Sequence, residues 1–114
     1  MVSLYGVAFS VLDDIEEMRK AFDKACEAMN ATVLHRFSHK FHPQGVTVVY
    51  ALAESHITAH TFPEFGSVSL DCYTCGHMDS IIGMNILIEH FQPKSIHIER
   101  VSRDKEEEAR QVRP

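Results

Sequence analysis

The longest mostly apolar stretch of this chain covers only eight residues, from Val46 to Ala53. A helix that crosses a membrane needs about 20 such residues, so this stretch predicts a buried strand. The chain has 114 residues, of which 45% are hydrophobic. That composition supplies one core without disulfide or metal support, and it predicts a single domain over residues 1–114.

The charge balance of the chain is acidic, with 16 acids, 11 bases and a formal net charge of −5. Surfaces that bind nucleic acids or anionic membranes need clustered Lys and Arg, so neither partner is expected. The three cysteines, Cys26, Cys72 and Cys75, form an odd set behind a start that lacks signal-peptide features. We therefore expect reduced thiols and a cytoplasmic location. Residues 103–114 are highly charged and predict a solvated tail.

Two stretches have the apolar spacing of helices. Asp14, with Glu17 three positions later, predicts a capping box that opens the first helix. The apolar residues that follow recur at steps of one to four and would form a single stripe: Ile15, Met18, Phe22, Ala25, Cys26 and Met29. The second helix is predicted from a similar stripe that ends before Pro93: Ile81, Met84, Leu87, Ile88 and Phe91.

Strands account for most of the remaining chain. They are predicted at about Leu4–Leu12, Thr32–Ser38, Val46–Leu52 and Val68–Tyr73, with a last strand at Ile96 and Ile98. The polar segment 54–66 contains Pro63 and reads as short and broken. Two helices and four or five strands predict an α+β fold, a two-layer sandwich whose antiparallel sheet has both helices on one face. We expect the other face to pair with a second copy.

Residue types suited to chemistry concentrate in residues 53–76. The set comprises Glu54, Ser55, His56, His60, Glu64, Asp71, Cys72 and Cys75. A zinc site is not favoured, because His56 and His60 would lie about 13 Å apart along extended chain. Cys72 and Cys75 would point to opposite faces of a continuing strand. No metal is therefore predicted.

Two further chemistries depend on Cys75 and Ser55. A redox C-x-x-C motif begins a helix, whereas residues 76–78 separate Cys75 from the helix here, so only a single reactive thiol is expected. Ser55 lacks the G-x-S-x-G turn of serine hydrolases. Taken alone, Ser55 could equally be a serine that caps a turn.

The combined motifs resemble a known family. They are E-S-H-I-T at 54–58, H-T-F-P-E at 60–64 and C-Y-T-C-G at 72–76. At this spacing they resemble the bacterial and archaeal S-adenosylmethionine decarboxylases, pyruvoyl-dependent enzymes of polyamine synthesis. Decarboxylation of an α-amino acid leaves a carbanion that needs an electrophilic carbonyl as its electron sink. A pyruvoyl group made from the chain itself supplies that carbonyl.

The resemblance implies cleavage between Glu54 and Ser55, giving chains of 54 and 60 residues from the 114. In the family the serine attacks the preceding carbonyl, and β-elimination of the ester leaves a dehydroalanine that hydrolyses to pyruvoyl. By resemblance, Ser55 becomes the cofactor and His60 removes its Cα proton during cleavage. Cys75 supplies a proton to the product carbanion.

Three more residues are assigned to the substrate side by the resemblance. Glu64 would hold the ribose hydroxyls of the substrate, and Phe41 would stack on its adenine. Thr47 falls where the family has a processing serine and keeps the hydroxyl. His56 belongs to the motif, but the residue types suggest no role for it.

The function implied is decarboxylation of S-adenosylmethionine, which yields the aminopropyl donor for spermidine, by a homodimer of processed αβ protomers. Two alternatives stay open from the sequence. One is a pyruvoyl-dependent decarboxylase of ornithine or arginine. The other is an uncleaved, non-catalytic homologue that regulates an active partner, which the retained Ser55, His60 and Cys75 disfavour.

Overall fold

The computed structural model describes residues 1–73 and 79–99, so Cys75 and the tail at 103–114 lie outside them. In chain order the elements are β1 (Val2–Tyr5), α1 (Phe9–Leu12), α2 (Ile15–Ala28), β2 (Val33–Lys40), β3 (Val46–Leu52), β4 (Ser55–Phe62), a 3₁₀ turn (Pro63–Phe65), β5 (Ser67–Tyr73), α3 (Ser80–Phe91) and β6 (Ser95–Ile98). No helix within the described ranges is long and apolar enough to cross a membrane.

The strands form one antiparallel sheet in the order β2-β3-β4-β5-β1-β6. Helices α2 and α3 pack against each other and cover one face of this sheet. The helices approach closely at Gly83, where a Cβ atom would collide with the Met29 side chain. The predicted α+β sandwich with its helices on one face is confirmed.

The core lies between the helices and the covered face. Its largest fully buried side chains come from both layers: Leu4, Leu12, Met18, Phe22, Val46, Val48, Tyr50, Ile57, Val68, Leu70, Leu87 and Phe91. The predicted helix start is also confirmed, because the Asp14 carboxylate accepts a hydrogen bond of 3.1 Å from the Glu17 N–H. The apolar stripe of α2 packs into the core, where Met18, Phe22 and Ala25 are buried and Ile15 is partly buried.

The predicted strand over Leu4–Leu12 is wrong beyond Tyr5. Gly6 has φ +70°, a left-handed conformation that turns the chain away from the sheet. Phe9–Leu12 then forms the short helix α1, and Leu12 is buried. Apolar residues at this spacing suit either element, so the backbone at Gly6 decides the outcome.

The segment 54–66 is not short or broken either, since β4 runs without interruption over eight residues. Its core positions include Ile57, Ala59 and Thr61, all buried. Thr61 is a polar residue at a buried position, and its hydroxyl accepts a hydrogen bond of 2.8 Å from the Val46 N–H. That bond satisfies the hydroxyl inside the core, and the sheet gains a sixth strand.

The sheet surface away from the helices is called the open face below. Alternation along the central strands puts these side chains on it: His35, Phe37, His39, Thr47, Val49, Ala51, His56, Thr58, His60, Ser69, Asp71 and Tyr73. Most of them are half-buried or exposed polar and aromatic residues. This face carries the predicted chemistry of His60 and Thr47.

Candidate active site

Four of the predicted site residues lie at one end of the sheet, called the Phe41 end. Phe41 follows β2, Thr47 is at the start of β3, His60 is near the end of β4, and Glu64 lies in the 3₁₀ turn after β4. Antiparallel pairing brings these strand ends together. Residues separated by up to 23 positions in sequence therefore share one edge.

Thr47 and His60 form the polar contact at the centre of this end. They are direct cross-strand partners, and the Thr47 Oγ1 lies 3.0 Å from the His60 Nδ1. The imidazole is exposed on the open face. A hydroxyl held against a ring nitrogen can fix the ring orientation and relay a proton.

Phe41 presents its ring from a tight loop. The Phe41 N–H donates a 2.8 Å hydrogen bond to the Gly45 carbonyl, which closes the loop. The side chain is 46% exposed, and its ring stands edge-on to His39 with 4.5 Å between the ring centroids. An exposed ring on a fixed backbone can stack on a planar ligand.

Glu64 lies in a turn that is anchored on both sides. Pro63 is buried beneath it, and Gly66 closes the turn at φ +63°. The Gly66 carbonyl accepts a 2.9 Å hydrogen bond from the Val7 N–H. The exposed Glu64 carboxylate therefore projects from a fixed backbone and is available to hydroxyl donors.

Ser55 lies at the opposite end of the hairpin, directly after the exposed turn residues Ala53 and Glu54. The Ala53 N–H donates to the Thr32 carbonyl at 2.9 Å, which ties this turn to the start of β2. The Ser55 Oγ is buried and has no hydrogen-bond partner within the described ranges. In these residues it caps nothing, so the turn-capping alternative is not supported. A buried hydroxyl without a partner is unusual and suits a reactive group.

His56 acquires a neighbour that the sequence did not indicate. Its Nε2 lies 3.7 Å from the Asp71 Oδ2, and its ring centroid lies 5.8 Å from that of Tyr73. Asp71 is reached only through the pairing of β4 with β5. The alternating pattern of β5 predicted which face Asp71 occupies, but the residue opposite it depends on register.

Ser55 and His60 are not brought together within one copy of the chain. They lie on the same strand, five residues and therefore about 16 Å apart. Alternation also directs them to opposite faces, because Ser55 has the parity of buried Ile57 and Ala59. His60 of one copy cannot reach Ser55 of the same copy in this arrangement.

Of the two cysteines in the C-Y-T-C-G motif, the structure describes only Cys72. Cys75, the predicted proton donor, lies outside the described residues. Burial, with smaller contributions from Asp71 and Cys26, raises the pKa of Cys72 to about 11. Cys72 therefore stays a protonated core thiol beside Ile57, its partner in the sheet.

Comparison with known proteins gives consistent results. The sequence model of the S-adenosylmethionine decarboxylase family matches residues 1–104. The chain is 41% identical over 103 residues to the S-adenosylmethionine decarboxylase proenzyme of Brevibacillus brevis, covering 90% of this chain and 77% of that protein. It is 38% identical over 104 residues to the S-adenosylmethionine decarboxylase proenzyme 2 of Bacillus cereus, covering 90% and 85%.

The backbone is also similar to a solved structure. The crystal structure of the adenosylmethionine decarboxylase from Aquifex aeolicus superposes with a TM-score of 0.77 at 33% sequence identity. The superposition covers 89% of this chain and 91% of that one. The similarity therefore extends through the whole sandwich and is not confined to the motifs.

Proposed function

This chain belongs to the S-adenosylmethionine decarboxylase family, and we propose that it is a self-processing, pyruvoyl-dependent decarboxylase of S-adenosylmethionine. The product would be the aminopropyl donor for spermidine synthesis. The observation that carries this proposal is the buried hydroxyl of Ser55, which has no hydrogen-bond partner among residues 1–73 and 79–99 and comes directly after the exposed Glu54. The location of the protein would be the cytoplasm, as predicted from the odd number of cysteines.

In processing, the Ser55 hydroxyl is the nucleophile. Its Oγ attacks the Glu54 carbonyl carbon, and the acyl group moves from the Ser55 nitrogen to the oxygen. Loss of the Ser55 Cα proton then breaks the ester bond to Ser55 Oγ. The main-chain carboxylate of Glu54 leaves as the C-terminus of the first fragment, and residue 55 becomes dehydroalanine. Water completes the reaction by releasing ammonia and leaving a ketone. The residues fit this sequence, since no hydrogen bond within the described ranges holds the Ser55 hydroxyl away from its carbonyl.

A pyruvoyl group made from Ser55 would supply an electrophilic carbonyl for the substrate amine and an electron sink for decarboxylation. The remaining tasks belong to ordinary side chains. Phe41 would stack on the adenine, and Glu64 would accept hydrogen bonds from the ribose hydroxyls. Cys75 would return a proton to the product.

A second copy would complete the site. His60 lies at the Phe41 end beside Thr47 of β3, and it is about 16 Å from Ser55 along β4. A two-fold axis that pairs the open faces in opposite orientation would bring the Phe41 end of one copy near the Ser55 end of the other. His60 of one copy would then remove the Cα proton of Ser55 in its neighbour during cleavage.

The decisive test of processing is the intact mass of the denatured protein. We expect two fragments that meet between Glu54 and Ser55, the larger without a free N-terminal amine. Release of carbon dioxide from S-adenosylmethionine should accompany cleavage. Ser55→Ala should remain a single uncleaved chain without activity, and normal turnover by this variant would refute the pyruvoyl proposal.

Shared sites can be tested by co-expressing Ser55→Ala with His60→Ala, each with a different tag. Neither homodimer should process. In the mixed dimer, the His60→Ala chain keeps Ser55 and meets an intact His60 of its neighbour, so only that chain should be cleaved. Absence of cleavage in a mixed dimer shown to form would contradict a site built from two copies.

A further inference from the structure

The segment between β1 and α2 contacts both loops at the Phe41 end. At its start, the Val7 N–H donates to the Gly66 carbonyl behind Glu64. At its end, the Asp13 Oδ1 accepts a 2.9 Å hydrogen bond from the Gly45 N–H. One short segment thus holds the backbones of the two loops that carry Glu64 and Phe41.

Asp13 also controls the other side of the Phe41 loop through Lys40. The Lys40 Nζ lies 2.9 Å from the Asp13 Oδ1 and donates a 2.9 Å hydrogen bond to the Phe41 carbonyl. The carboxylate therefore fixes the loop directly at Gly45, and it fixes the Lys40 ammonium that holds the loop at Phe41. Together these bonds restrict the backbone on both sides of the ring.

This ion pair differs from ordinary surface pairs. The side chains of Lys40 and Asp13 are only 27% and 24% exposed, whereas those of Arg19 and Glu16 are 49% and 70% exposed. Exposed pairs contribute little because water and salt screen them. The hydrogen bond from Gly45, followed by that from Lys40, lowers the pKa of Asp13 below its ordinary value. The carboxylate is therefore charged at neutral pH.

We propose that Asp13 is a positioning residue for substrate binding, which holds the Phe41 ring where it stacks on the adenine of the substrate. This inference rests on the proposed function. Among the described residues, no hydrogen bond or ion pair joins Asp13 to Ser55 or to the Thr47–His60 pair. Its loss should therefore weaken binding and leave processing and the chemical step intact.

The test compares Asp13→Ala, Asp13→Asn and the control Glu16→Ala. Each variant is first checked by intact mass for complete cleavage, and by thermal melting. Asp13→Ala should raise the KM for S-adenosylmethionine about tenfold while kcat stays within about twofold. Asp13→Asn keeps an acceptor for the Gly45 N–H but loses the negative charge that pairs with Lys40. Its KM should therefore lie between those of the wild type and Asp13→Ala. Glu16→Ala should have the same KM and kcat as the wild type.

A double-mutant cycle with Phe41→Ala separates positioning from general structure. If Asp13 acts through the ring, the KM effect of Asp13→Ala should vanish in the Phe41→Ala background. An undiminished effect, or a fall in kcat at constant KM, would overturn the proposal. If Asp13→Ala fails to fold, the same cycle is run with Asp13→Asn. A wild-type protein that neither cleaves nor turns over would instead refute the proposed function.

Discussion

The two faces of the sheet are built by the same strands and yet have different chemistry. On β3 the side chains of Val48 and Tyr50 are buried beneath the helices, while those of the alternate residues Thr47 and Val49 lie on the open face. Strand geometry reverses the face at every residue. A one-residue change of register would therefore exchange the core with the predicted catalytic surface. Stability and chemistry are interleaved along each strand.

The covered face is not entirely apolar at its margin. The Tyr50 hydroxyl donates a 2.7 Å hydrogen bond to the Asp23 carboxylate, and the Arg36 Nε lies 3.0 Å from the same oxygen. Burial raises the pKa of Tyr50, and Asp23 adds to this increase. Although burial acts in the opposite direction, the bonds from Tyr50 and Arg36 lower the pKa of Asp23. This polar group closes the edge of the core, and it has no part in the proposed site.

The largest contrast between the faces is expected in processing. Changing His60 to Ala on the open face should slow cleavage about 10²- to 10⁴-fold, as expected for loss of a general base. Its free energy of unfolding should fall far less than after a truncation in the core, because within each copy the side chain is exposed. The fraction cleaved over time by intact mass, with urea unfolding, measures both quantities. Cleavage at the normal rate would remove His60 from the mechanism.

The next effect belongs to the covered face and should appear in stability alone. Ile57→Ala creates a cavity at a fully buried position of β4 and should lower the free energy of unfolding by about 2–5 kcal/mol. Its neighbour Thr58 is half-buried on the open face, and Thr58→Ala should lower the free energy of unfolding by less than about 1 kcal/mol. Urea unfolding of both variants checks the difference. Equal losses would mean that the open face is as tightly packed as the core.

The smallest effect concerns a histidine in the helix layer. The His90 Nε2 is buried without a hydrogen-bond partner among the described residues, and burial lowers its pKa below 6.5 while Glu17 and Asp14 oppose the shift. The unfolded chain then binds a proton that the folded chain rejects, so stability should fall as the pH drops through about 6.5.

Removing this histidine should reduce the acid sensitivity. We expect His90→Gln to lose less stability than the wild type between about pH 7.5 and about pH 5.5. The matched variant His35→Gln, on an exposed side chain of β2, should keep the wild-type difference. Urea unfolding at the two pH values measures this change in the free energy of unfolding. Identical pH dependence in wild type and His90→Gln would rule out His90 as the source.

Much of the fold could be predicted because its signals are local. Asp14 and Glu17 mark the start of α2, and the alternation in Val68–Tyr73 predicts β5 to within a residue. The strand Val46–Leu52 has the predicted bounds. Prediction failed where the local pattern suits two structures, as at Phe9–Leu12, where the turn at Gly6 separates a helix from the strand.

The site divides in the same way. The motif spacing assigned Ser55, His60 and Glu64 to one function, but only the packed strand β4 shows that Ser55 faces the core and His60 the open face. Asp13 and Asp14 are adjacent acids, and only Asp14 was predicted to cap the helix. Only Asp14 caps α2, while the Asp13 carboxylate crosses to Gly45, 32 residues further along the chain.

By itself, the sequence determined the residue types, the period of each element and therefore which side chains could form a core. It also determined the family, because the motif spacing carries that information. The tertiary structure decided which residues meet: the pairing of Thr47 with His60 and the hold of Asp13 on the Phe41 loop. The physical reason is that periodicity is a property of one segment, whereas register and loop contacts arise when separate segments pack together.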